Sequence, residues 1–115
     1  MKNKIIIPTI LFAFVLIFSF YVLSHDQLIF FYGDGCPHCV IVEKYFKENK
    51  IEEKIKFAQK EVYYNKNNAK ELEAKARICG LATDSIGVPF LWDGEKCLIG
   101  DEDIIDFFQQ KINEQ

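Results

Sequence analysis

Gln27-Leu28-Ile29-Phe30-Phe31-Tyr32-Gly33-Asp34-Gly35-Cys36-Pro37-His38-Cys39 is the stretch on which the reading of this chain turns. Gln27 to Tyr32 is an apolar run stopped by Gly33, which predicts a central strand buried on both faces. Pro37 fits the first turn of a following helix, and Cys39, Val42 and Phe46 recur at helical spacing until about Asn49. The two cysteines therefore lie where a strand hands over to a helix. Two intervening residues in a first helical turn bring the sulfurs close enough for a small disulfide, with Cys36 exposed at the tip and Cys39 tucked toward the helix body. Unpaired N–H groups and the positive end of the helix dipole stabilise a thiolate at Cys36. Cys36 is then the sulfur that exchanges with a substrate, and Cys39 resolves the mixed disulfide. His38 can add a hydrogen bond or a positive charge to that thiolate, which favours the reduced form and makes the disulfide the stronger oxidant.

Other uses of the pair stand beside this one: a structural disulfide, a zinc half-site, or soft ligands for copper(I) in a chaperone or assembly scaffold. Zinc wants a second close pair, yet Cys79 and Cys97 are 18 positions apart. A c-type haem needs histidine after the second cysteine, where this chain has Val40. No metal and no cofactor is expected.

Downstream, Ile55 to Tyr64 reads as a second, less regular strand. Asn65, Asn67 and Asn68 offer helix N-cap oxygens, and Ala69, Leu72, Ala76 and Cys79 mark one face of a helix ended by Gly80. Val88–Trp92 and Lys96–Ile99 flank Asp93-Gly94, a hairpin signal that sets Cys97 across from Phe90. Asp101, Glu102 and Asp103 suit the start of a last helix, with Ile104, Ile105, Phe108 and Ile112 on its buried face. The expected order is βαβαββα. Cys79 and Cys97 fall near one edge, as a structural disulfide, as two core thiols or as a second redox pair.

Upstream, Ile5 to Leu23 is nineteen residues without a charge. As a helix it spans about 28 Å, against a hydrocarbon core of about 30 Å. Lys2 and Lys4 precede it, and the next basic residue is Lys44, a bias that leaves the N-terminus in the cytoplasm and exports the rest. The run is longer than a signal-peptide core, which favours a single-pass anchor (residues 1–24) over a signal cut after Ser24, with Val22 and Ser24 as its small-x-small pair, and secretion. His25 reads as interfacial polarity. Residues 25–115 form the one domain that 115 residues allow.

The chain is 50% hydrophobic and 27% charged with net charge −3, an ordinary globular composition. Without Lys2 and Lys4 the exported part carries −5. No basic stripe is present, so neither nucleic acid nor an anionic lipid surface is an expected partner. Glu43 with Lys47 and Glu52 with Lys56 read as solvated helix faces.

The strand, the Cys36-Pro37-His38-Cys39 helix start and Gly87-Val88-Pro89-Phe90 before a hairpin together resemble the thioredoxin superfamily, over essentially Gln27 to Gln115. The dithiol motif is similar to that of DsbA-type disulfide oxidases and of the thioredoxin-like domains that accompany quinone-linked vitamin K epoxide reductase homologues. The compact layout, with no strand-helix unit before the dithiol strand, is nearer to glutaredoxins, as is the run from Val88 to Asp101. The resemblance implies an α/β domain with a central mixed sheet flanked by helices, behind one transmembrane helix. It implies a cis Pro89 facing the dithiol, with Val88 offering its backbone to an extended substrate. Two departures matter. Thioredoxins carry a buried acid six positions before the first active cysteine, where this chain has Phe30, which tells against a reductase; glutaredoxins have Gly-Gly after their last strand, where this chain has Gly100-Asp101. The implied activity is thiol–disulfide exchange on exported protein thiols, as an oxidase, with electrons passed to a membrane partner that is quinone-linked or a thiol carrier. A disulfide reductase or isomerase and a glutaredoxin-like electron carrier are the alternatives.

Overall fold

In a computed structural model the protein is described over residues 3–23 and 27–115, with the side chains of 7–18 and 27–115. The expectations for Val22, Ser24 and His25 lie outside the described side chains. The first element is helix α1, Asn3–Leu23. Its side chains from Ile7 to Phe18 are exposed on every face. Among the described residues no helix is long and apolar enough to cross a membrane.

The domain that follows is α/β, with a mixed four-stranded sheet in the order β2-β1-β3-β4. β1 (Ile29–Tyr32) lies at the centre, parallel to β2 (Ala58–Glu61) and antiparallel to β3 (Phe90–Trp92), which pairs antiparallel with β4 (Cys97–Ile99). Side-chain alternation along β1 feeds two cores. Phe30 points to one face, where helices α2 (Pro37–Glu48) and α5 (Asp101–Asn113) bury Val42, Phe46, Ile104 and Phe108 beside Leu91. Ile29 and Phe31 point to the other, where α4 (Lys66–Ile78) buries Leu72 and Ala76 against Phe90 and Trp92. The ring of Phe46 organises the first core, meeting those of Phe30, Phe57 and Phe108 edge-on with centroids 4.8–5.0 Å apart, a geometry aromatic quadrupoles favour.

The expected order recurs with one addition. Lys50 takes a left-handed conformation (φ 51) and starts a single helical turn, α3 (Ile51–Lys54), which drops Ile51 into the first core. Because α3 ends at Lys54, Glu52 and Lys56 do not share a helix face; Glu52 accepts a hydrogen bond from Gln59 at 2.7 Å instead. The second strand is shorter than expected, four residues at the sheet edge, where one face and one flank stay accessible and Gln59, Lys60 and Glu61 are tolerated. The hairpin also corrects a register. Asp93 Oδ1 accepts from the N–H groups of Glu95 and Lys96 at 2.8 and 2.7 Å, which centres the turn on Gly94 and Glu95. Cys97 therefore stands opposite Trp92, and Ile99 takes the place opposite Phe90.

Candidate active site

β1 ends at Tyr32, and the chain reverses through Gly33-Asp34-Gly35 to begin α2. The Cys36 N–H donates to Gly33 O at 3.1 Å, and Gly35 has φ +84, a conformation that costs glycine little. Cys36 is then the N-cap of α2, with extended backbone, and Pro37 occupies the first helical position. The cap ligand is sulfur: Cys36 Sγ accepts from the Cys39 N–H at 3.2 Å. Cys36 and Cys39 are joined as a disulfide. Cys36 keeps 5% of its surface and Cys39 none, so the exposed tip expected for Cys36 is only a sliver.

What covers it is the loop before β3. The Val88–Pro89 bond is cis, Pro89 is fully buried, and Val88 O lies 3.6 Å from Cys36 Sγ. The hairpin fixes this loop, because Pro89 O accepts the Gly100 N–H at 3.1 Å where β4 passes into α5. That junction also brings Asp101 to the dithiol. His38 is exposed, and its Nδ1 lies 3.5 Å from Asp101 Oδ1, so the imidazole joins the starts of α2 and α5. Residues 36–39, 88–89 and 101 thus converge at one end of the sheet.

Two acidic groups lie near this end: Glu43, expected on a solvated helix face but half-buried, and Glu61, which no pattern singled out. Partial burial, then the charge of Asp34, pushes the Glu43 carboxyl above its ordinary value. Glu61, the last residue of β2, accepts the Asp34 N–H at 2.8 Å. No local motif marks this contact, since the partners are 27 positions apart. No polar or charged residue is buried among the described residues, and Phe30, at the place where thioredoxins hold an acid, packs wholly within the first core.

The other two cysteines lie elsewhere. Cys79 is the C-cap of α4 and is joined as a disulfide to Cys97 of β4, stapling the second helix layer to the sheet edge. Both cysteines are half-buried. No family model matches the chain, and no curated protein matches it.

Proposed function

We propose that the protein is a thiol–disulfide oxidoreductase that oxidises exported protein thiols through Cys36 and Cys39, in a thioredoxin-like domain held at a membrane by α1. The observation that carries the reading is the seat of Cys36: a disulfide sulfur at the N-cap of α2, taking the Cys39 N–H at 3.2 Å, beside the Val88 carbonyl and a cis Pro89.

The exchange follows from that seat. A substrate thiolate attacks Cys36 Sγ, the Cys36–Cys39 bond breaks, and Cys39 leaves as a thiolate. A second substrate thiolate attacks the substrate sulfur of the mixed disulfide and expels the Cys36 thiolate. Two electrons have passed to the protein, the substrate gains one disulfide, and the substrate's two protons go to the released thiolates or to solvent. The N-terminus of α2 stabilises the departing Cys36 thiolate. Val88 supplies backbone for an extended substrate segment beside the sulfur. A membrane partner that is quinone-linked or a thiol carrier then takes the two electrons and restores the disulfide.

Two features favour oxidation over reduction. Cys39 is fully buried with no buried carboxylate among the described residues to take its proton, which slows the release step a reductase needs. His38 stands on the same turn as Cys36 and adds positive charge when protonated, although its imidazole is directed to Asp101. The anchor is read from the uncharged run Ile5–Leu23 behind Lys2 and Lys4, which places the N-terminus in the cytoplasm and the domain outside it.

The test is a single turnover. Oxidised protein mixed with a reduced peptide carrying two cysteines should form one peptide disulfide per protein molecule, and reduced Cys39→Ser mixed with the same peptide in its disulfide form should accumulate a mixed disulfide through Cys36, the displaced peptide sulfur leaving as a thiol. Peptide thiols left intact after the uncatalysed reaction time would overturn the reading.

A further inference from the structure

The turn that presents Cys36 is hydrogen-bonded from outside by the Glu61 side chain. Gly33 and Gly35 flank Asp34, and a glycine-rich turn has much backbone freedom to lose on ordering. Its internal tie is the Cys36 N–H to Gly33 O bond. Its external tie is Glu61: Oε2 accepts the N–H groups of Asp34 at 2.8 Å and Tyr63 at 2.9 Å, and Oε1 accepts that of Tyr64 at 2.7 Å. Glu61 stands opposite Tyr32 in the parallel pair, so its carboxylate sits where both strands leave the sheet. The Tyr63 ring lies against Gly33 so closely that a Cβ there would overlap it. Partial desolvation pushes the Glu61 carboxyl up, but N–H groups of Tyr64, Asp34, Tyr63 and Asn65 outweigh it and hold the carboxyl below the ordinary value. At neutral pH the clamp is a carboxylate.

We propose that Glu61 is a positioning residue for the dithiol: its carboxylate ties the Gly33–Gly35 turn to the loop after β2 and so keeps Cys36 seated at the N-cap of α2. This deepens the proposed function and rests on it. A negative charge near Cys36 would by itself oppose its thiolate, whereas a clamp that holds the sulfur at the helix end favours it. The two effects have opposite signs.

Removing the clamp therefore discriminates between them. In Glu61→Ala the acceptor oxygens, and every bond made to them, go; in Glu61→Gln the carboxamide keeps one acceptor oxygen and sets an NH2 group against an N–H. The measurements are the alkylation rate of Cys36 by iodoacetamide at pH 6 in the reduced full chain, and the potential of the Cys36/Cys39 couple against glutathione. With Glu61→Ala, alkylation should slow about tenfold and the equilibrium shift about tenfold toward the disulfide, which is about 30 mV lower for a two-electron couple. Glu61→Gln should move both the same way by less, and it carries the test if the alanine variant does not fold. Gln59→Ala, which removes the donor that Glu52 Oε1 takes at 2.7 Å elsewhere on β2, should lower the melting temperature and leave both readings unchanged. Faster alkylation and a higher potential in the Glu61 variants would show that Glu61 acts only as a nearby charge. A lower melting temperature with unchanged alkylation and potential would show a role in folding alone. Either result overturns the proposal. A wild-type protein whose Cys36 and Cys39 do not exchange with glutathione defeats the redox reading and this inference with it; normal exchange that is indifferent to Glu61 defeats the clamp alone.

Discussion

The two disulfides of this protein are the same bond in two settings. Cys36–Cys39 spans three positions at the start of a helix, and Cys79–Cys97 spans 18 between the end of a helix and an edge strand. Exposure does not tell them apart in the expected direction, since the first pair is the more buried. What differs is what happens when each opens. Opening the first leaves a sulfur facing the N–H of Cys39 and the free donors of a helix N-terminus, which stabilise the thiolate product. Opening the second releases α4 from β4 at the C-terminal end of a helix, where the dipole opposes a thiolate. The short loop closed by the first pair constrains the unfolded chain little, whereas a loop of about 18 residues is worth about 3 kcal/mol. On the proposed reading, one bond is placed to exchange and the other to staple.

That contrast breaks most sharply at Cys36. Cys36→Ser should reduce oxidation of a dithiol peptide to the uncatalysed background, while the double variant Cys79→Ser, Cys97→Ser should keep the wild-type rate below its melting temperature, both read in the same single-turnover assay. The same double variant should lose about 3 kcal/mol of unfolding free energy in a urea titration, as the loop-closure model gives for that separation; a loss below about 1 kcal/mol would mean that the staple is idle. His38→Ala should make the Cys36/Cys39 couple about tenfold harder to reduce, a fall of about 30 mV, and leave the Cys79–Cys97 potential where it was. Asp101→Asn should move it in the same direction by less. The smallest effect concerns Glu61. Its carboxyl is held below its unfolded value, so the stability it adds is complete above about pH 4.3 and is lost as pH falls through the lowered folded value. The stability gap between wild type and Glu61→Gln should accordingly be constant from pH 7 to 5 and close at lower pH, as followed by denaturant midpoints.

Elements with a strong repeat were legible from their residues. The run around Phe30 and Phe31 announces a strand buried on both faces, and Val42 with Phe46, Leu72 with Ala76, and Ile104 with Phe108 each mark a helix face that the structure buries. β2 was legible only in outline, because an edge strand of Ala58, Gln59, Lys60 and Glu61 has no apolar alternation to read. α3 is one turn long, too short for any period, and depends on the left-handed Lys50. The register at Cys97 slipped because the Asp93 side chain, not the Asp93-Gly94 dipeptide alone, decides which residues centre the turn. At the site, Cys36 and Cys39 carry local signals of spacing and context, whereas Pro89 was legible only through the resemblance. The pairing of His38 with Asp101 and the grip of Glu61 on Asp34 join residues far apart in the chain, and only folding brings such partners together.

The most direct test of the contrast is a redox titration of the oxidised full chain in glutathione buffers, with alkylated thiols located by peptide mass. The account predicts two separate transitions: Cys36 and Cys39 become reduced together nearer −120 mV than −270 mV, and Cys79 and Cys97 stay paired until below about −300 mV. Reduction of Cys79–Cys97 first, or of all four cysteines in one transition, would contradict it.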